Sequence, residues 1–274
     1  MAKEKILIVV KTYPTISKKY TEIACTAGFR ENGSWIRLYP IPFRLLDTEN
    51  QYKKYQWIEA DVDRNWKDPR PESYRILDKE NIKLLDKIST EHQWKERRKI
   101  VLSNSNKEIY TNLHEIIDLA HQNKISLAVF KPKKILDFVI EPVDPEWSQD
   151  KINDILNDMQ QKDLFGNYNS DDFKIMPKIP YKFSYKFCDN AGKESTLMIE
   201  DWEIGQLYLN CEKDFSKEQA IDKVRQKYID DFAKTKDLYL FLGTTYPWHI
   251  RKAKNPFVII GTFHPPRITQ LDLF

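Results

Sequence analysis

Four short apolar runs constrain this chain more than any other feature: "KILIVV" (residues 5–10), "ISLAVF" (125–130), "LYLFLG" (238–243) and "FVIIG" (257–261). β-Branched and aromatic residues dominate them, and each stops at a lysine or a glycine. A membrane span needs about 18 consecutive apolar residues, so these are too short to cross a bilayer. Their length and composition read as buried strands. Buried strands need covering layers, which the intervening segments must supply.

Those segments carry both periods. "GSWIRLYPIP" (33–42), "YQWIEADVD" (55–63) and "KKILDFVIEP" (133–142) read as further strands. "YKFSYKFCDNAGKESTLMIEDW" (181–202) reads as a hairpin, with Tyr181, Phe183, Tyr185 and Phe187 alternating and "DNAG" as the turn. "NIKLLDKIS" (81–89), "EHQWKERRKIVL" (91–102) and "SQDKINDILNDMQ" (148–160) read as helices. So does "TNLHEIIDLAHQN" (111–123), with Thr111 as its cap. "SKEQAIDKVRQKYIDDFAK" (216–234) opens on a capping box, Ser216 with Gln219, and stripes Ala220, Val224, Tyr228 and Phe232 on one face. "DLFGNYNSDDFK" (163–174) reads as a loop. The fold class is mixed α/β (α+β), a central sheet with flanking helices and an aromatic β-hairpin. The expected division is 1–145, then 146–266 completing the same sheet, then a tail at 267–274.

Composition narrows the chemistry. Three cysteines, Cys25, Cys188 and Cys211, form no C-x-x-C, which argues against a disulfide framework or structural zinc. Seven glycines and no G-x-G-x-x-G or P-loop argue against a phosphate-cradling loop. No cofactor or metal is expected. The start, "MAKEKILIVV", is too briefly apolar for a secretory signal, so the expected location is the cytoplasm, with no membrane partner. Net charge is only +3, so any nucleic-acid face must come from local clustering.

Three strand ends look alike: "KTYP" (11–14), "GTTYP" (243–247) and "TFHPP" (262–266). Proline ends strands because it cannot donate to the ladder, which explains part of the likeness. If the three strands lie side by side and parallel, their ends form one rim, where open α/β sheets bind ligands. That rim would carry Lys11, Tyr13, His249 and His264 as catalytic candidates, with Thr12, Thr244, Tyr246 and Thr262 around the substrate.

"WKERRK" is the densest basic patch. Trp94 could stack on a base while Lys95, Arg97, Arg98 and Lys99 hold phosphates. "YKKYQW" (52–57) and "HIRKAK" (249–254) repeat the aromatic–basic mixture. Glu200, Asp201 and Glu203, with Asp61 and Asp63, could hold magnesium, or they could be solvated edges.

The chain's last five residues are Gln270, Leu271, Asp272, Leu273 and Phe274. "QLDLF" resembles the consensus peptide with which bacterial replication and repair proteins bind the DNA polymerase sliding clamp. The resemblance implies that Leu273 and Phe274 fill the main pocket, Gln270 bonds at its mouth and Leu271 takes a smaller subsite. It covers five residues and implies a place of work: DNA beside a clamp. Joined to an aromatic, metal-free pocket, it points to a glycosylase-type hydrolase acting on damaged or modified bases, in repair or phage defence. A non-catalytic clamp-bound reader or regulator and a metal-dependent nuclease are the alternatives.

Overall fold

The fold is built outward from β1 (Ala2–Lys11), which is buried on both faces. The computed structural model describes residues 2–17, 21–103, 108–163 and 175–268. Ile6 and Ile8 point into one core and Leu7 and Val9 into another. A register shift between Ile8 and Val10 turns Val10 to the same side as Val9.

The first core fills a small barrel. β3 (Thr21–Arg30), β4 (Trp35–Ile41), β5 (Gln56–Arg64) and β6 (Ser73–Ile76) join β1 in the cyclic order β1–β3–β4–β6–β5, and β5 closes back on β1. Every pairing is antiparallel except β4 with β6. This is a five-stranded Greek-key barrel of the OB type. β2 (Thr15–Ser17) adds to β3, and β7 (Lys83–Lys87) adds to β5. Residues 81–89 therefore hold a strand where a helix was expected, because the free edge of β5 offers a ladder to this segment.

After α1 (Glu91–Leu102) the chain leaves the barrel. β8 (Ile109–Tyr110), α2 (Leu113–His121) and β9 (Leu127–Phe130) lead to β10 (Lys134–Pro142) and α3 (Gln149–Asp163). The aromatic hairpin is β11 (Tyr181–Cys188) and β12 (Glu194–Met198), turning at Gly192 with φ of 81°. α4 (Trp202–Asp214) and α5 (Lys217–Arg225) follow, and a π-helical stretch, Gln226–Ala233, continues α5. β13 (Tyr239–Thr244), α6 (Tyr246–Ile250) and β14 (Phe257–Phe263) complete the order.

One four-stranded sheet, β14–β13–β9–β8, is the middle layer. Phe241, Val258 and Ile260 face the barrel, while Leu240, Leu242 and Ile259 face the opposite way. There they meet the three-stranded sheet β10–β11–β12 and helices α2, α4 and α5. The alternation explains why these runs are apolar without a break. The division expected near residue 145 does not separate the sheets, since β9 pairs with β13 and β10 with β11. β1 does not lie beside β13 and β14 as a parallel strand, and those two are antiparallel.

Local signals hold at one helix start and miss by a residue at another. Ser216 and Gln219 form the reciprocal capping box, and Ala220, Val224, Tyr228 and Phe232 are all buried. The cap of α2 is Asn112, not Thr111: its side chain accepts from the His114 N–H. Among the described residues no helix is long and apolar enough to cross a membrane.

Candidate functional site

In OB-type barrels the outer face of the second and third strands commonly takes the ligand. Here that face, on β3 and β4, is covered: Phe29 and Trp35 meet Phe241 of β13, with ring centroids 6.4 and 5.7 Å apart. Cavities remain beside the end of β1, and the antiparallel β13 and β14 split the expected rim between two of them. Lys11, Thr262 and His264 line one, of about 480 Å³. Thr12, Tyr13, Thr244 and Tyr246 line another, of about 710 Å³.

A short backbone seam lines the second cavity and leads to the carboxylates beside the first. The Glu200 N–H donates to Ile259, and the Tyr13 N–H donates to Glu200. Asp201 then bridges to Thr12 and caps α4 by accepting from the Glu203 N–H. Asp201 is fully buried. Lys54 Nζ meets it at 3.2 Å and Glu203 at 2.8 Å. Burial opposes the charge on Lys54, but the two carboxylates outweigh it and hold the ammonium above its ordinary pKa. Burial pushes the Asp201 carboxyl up to about 6 against the pull of Lys54, whereas Lys54 draws Glu203 below its ordinary value.

Lys11 lies beside this pair without sharing it. Its Nζ sits 4.1 Å from the Phe43 ring centre and 5.3 Å from that of Trp202, and donates to the Tyr52 carbonyl at 3.4 Å. Burial, then the neighbouring Lys54 charge, lowers its pKa to about 8. A desolvated lysine next to a second cation is a recognised form of activated amine nucleophile.

The opposite wall is aromatic and basic. α1 begins with three residues in the left-handed region, His92, Gln93 and Trp94, at φ of 48°, 54° and 62°. That conformation costs about 1–2 kcal/mol per non-glycine residue. It sets Trp94 against Tyr55, Phe263 and His264. Arg97 stacks over Tyr55 at 4.0 Å and donates to the Ile88 carbonyl. His264 stacks on Phe232 at 3.6 Å, and burial lowers its pKa to about 4, leaving a neutral ring. Lys53, Lys87 and Lys227 complete a lining with far more positive than negative charge.

Other candidates fall elsewhere. His249 is buried with Nε2 against Asn123 Oδ1 at 2.9 Å and lines neither cavity. Arg98 is drawn to Asp237, and Lys95 and Lys99 are exposed, so the "WKERRK" cluster points in several directions. Asp61 and Asp63 lie on β5 and do not join Glu200, Asp201 and Glu203. Among the described residues no three His, Cys, Asp or Glu side chains gather as a metal site. Residues 270–274 lie outside the described residues.

Sequence reading missed Lys54, Tyr55 and Trp202 as parts of a site. "YKKYQW" was the available signal, but nothing in it tells Lys54, inside, from Lys53, beside it.

Two family descriptions match: Domain of unknown function (DUF8758) over residues 2–103 and Domain of unknown function (DUF8757) over residues 106–274. The join between them falls where the barrel and α1 end. No curated protein matches the chain.

Proposed function

We propose that this chain, which belongs to the family described as Domain of unknown function (DUF8757), is a DNA-processing enzyme of the glycosylase type, with Lys11 as its nucleophile. The observation that carries the reading is an amine of lowered pKa in a cavity that is both basic and aromatic. Lys53 and Lys87 suit phosphates, whereas Lys227 is held by Asp231 at 2.6 Å, and Trp94 suits a base or sugar face. The sliding clamp is the proposed tether, through residues 270–274.

In this reading the neutral Lys11 amine attacks C1′ of the target nucleotide. The C1′–N bond breaks, and the base leaves with the electron pair and a proton from the amine. Glu203, one wall of the cavity, opposes the positive charge that develops on the sugar. Opening of the sugar ring gives an imine between C1′ and Lys11, and water returns the aldehyde and the free amine. Damaged or phage-modified bases are the proposed substrates.

The test uses a duplex with one abasic site, whose aldehyde needs no knowledge of the base. Sodium borohydride should trap a covalent complex with the wild-type protein and none with Lys11→Ala. No trapped complex, or equal trapping with Lys11→Ala, overturns the nucleophile. One observation favours the non-catalytic reader: Lys11 sits between Phe43 and Trp202 as a cation would. Salt-dependent duplex binding without trapping selects that reading.

A further inference from the structure

Of the seven tryptophans, only Trp66 and Trp248 are exposed, Trp66 at 83%. Trp66 lies in the loop joining β5 to β6 and Trp248 in α6, and neither lines either cavity. Loop and helix pack together. The Tyr246 hydroxyl lies 3.5 Å from the Lys67 carbonyl, and Arg70 donates to the Thr244 carbonyl at 2.7 Å. Asn123, just after α2, joins the two: it donates to the Pro69 carbonyl at 3.0 Å, and its Oδ1 meets His249 Nε2 at 2.9 Å. The exposed rings therefore stand on a fixed platform. Tyr246, also exposed, sits where the two segments meet. Indoles left in water forgo the burial that such large apolar rings usually supply.

Cations flank the rings. Lys67 follows Trp66, and Arg251, Lys252 and Lys254 follow α6. All four are exposed, and none forms an ion pair among the described residues. The single carboxylate in residues 65–70 and 246–254, Asp68, is buried against Arg70 at 2.6 Å. In the neighbouring segments, Glu72 accepts from the Ser126 N–H, Asp118 of α2 faces His114 at 3.9 Å, and Lys124 adds a further exposed cation. The surface is positive.

Lys252 carries the sharpest signal. α6 ends in a Schellman turn: the Ala253 N–H donates to the Trp248 carbonyl at 2.9 Å and the Lys252 N–H to that of His249 at 3.2 Å. The turn holds Lys252 at φ of 50°, in the left-handed region that glycine enters without strain. A lysine here gives up backbone stability for an ammonium that bonds no described residue. Strain kept at such a position points to a ligand outside the chain.

Rings interleaved with cations suit a polymer that alternates planar bases with phosphates. A duplex hides its base faces in the stack. A membrane surface asks for a continuous apolar face, which a five-residue helix beside a polar loop does not offer.

We propose that residues 65–70 and 246–254 form a surface for single-stranded DNA, with Trp66 and Trp248 stacking on bases and Lys67, Arg251 and Lys252 holding phosphates. The choice of DNA rests on the DNA-processing reading of the first cavity, with which this surface shares no residue.

Fluorescence anisotropy of a labelled oligothymidylate of about 12 nucleotides, titrated with the full chain at low salt, tests it. The oligothymidylate should bind. Trp66→Ala and Trp248→Ala should each weaken it about tenfold, the loss of stacking on one base, while melting like the wild type. Lys252→Gly should melt no lower than the wild type and still bind more weakly. Its slope of log affinity against log salt should fall by about 0.7, one phosphate of a single strand. Borohydride trapping at Lys11 uses none of these residues, so the two proposals can fail separately. Absence of oligothymidylate binding overturns this one. So does binding unchanged in both folded tryptophan variants, or retention of the chain by phosphatidylglycerol vesicles or by oligouridylate in place of oligothymidylate.

Discussion

Lys54 Nζ lies 3.2 Å from Asp201 Oδ2, across 147 residues of sequence, and neither side chain is open to solvent. The contact ties the loop between β4 and β5 of the barrel to the N-terminus of α4. Breaking a buried pair by removing one partner costs about 3–5 kcal/mol, because the survivor stays charged and unpaired. Lys54→Met should lose about that much stability at pH 7.

The same variant has a pH signature. Asp201 already titrates near 6, above an unfolded carboxyl, so its ionised form opposes folding as pH rises through that value. Without Lys54 that opposition grows, so the loss in Lys54→Met should be smaller at pH 5 than at pH 7. Urea unfolding of both proteins at the two pH values measures it. An equal loss at both would show that Asp201 is not the stranded charge.

Lys11 sets the second expectation. Only its neutral form attacks, and burial with Lys54 nearby places its pKa at about 8. The initial rate of borohydride trapping should therefore climb with pH between 6.5 and 8 and level off above it. A profile still rising steeply at pH 10 would place the reacting amine on an ordinary surface lysine.

Gly205 sits in α4 against Tyr13. A Cβ built there comes within 2.3 Å of the Tyr13 ring, whose hydroxyl is held by the Pro177 carbonyl at 2.7 Å. Gly205→Ala should cost about 1–3 kcal/mol through overpacking, despite the better helix propensity of alanine. A melting temperature equal to the wild type would show that Tyr13 has room to move.

Phosphate contacts leave a salt signature. If Lys53 and Lys87 neutralise backbone charge, the double variant Lys53→Gln, Lys87→Gln should bind duplex more weakly. The slope of log affinity against log salt should fall by about 2. An unchanged slope would remove the basic cavity from the DNA path.

The clamp proposal is separable from all of these. Deleting residues 270–274 should abolish binding to a bacterial sliding clamp while leaving the melting temperature and borohydride trapping unchanged. Clamp binding that survives the deletion would place any contact elsewhere.

Much of the fold was legible because its signals are local. The apolar runs gave buried strands, the alternation at 181–187 gave the aromatic hairpin, and Ser216 with Gln219 gave a helix start. Residues 81–89 misled because they carry no strong period, and the open edge of β5 decided their state. The site was legible only in pieces. Lys11, Thr262 and His264 do share a cavity, and Thr12, Tyr13, Thr244 and Tyr246 share another. The single rim failed because strand direction is a long-range property that no strand-end motif carries.

The sequence by itself determined many of the strands and helices, though not β3, β7 or α4, where several of them start, and that aromatic and basic residues would mix. Those properties follow from side-chain period and capping within a few residues. Tertiary structure alone decided which side of β1 each cavity takes, that Lys54 rather than Lys53 is buried, and that Asp201 meets it. Burial of a charge depends on partners far away in the chain, and the lowered pKa of Lys11 depends on burial. The reactivity proposed for this protein is therefore a product of packing.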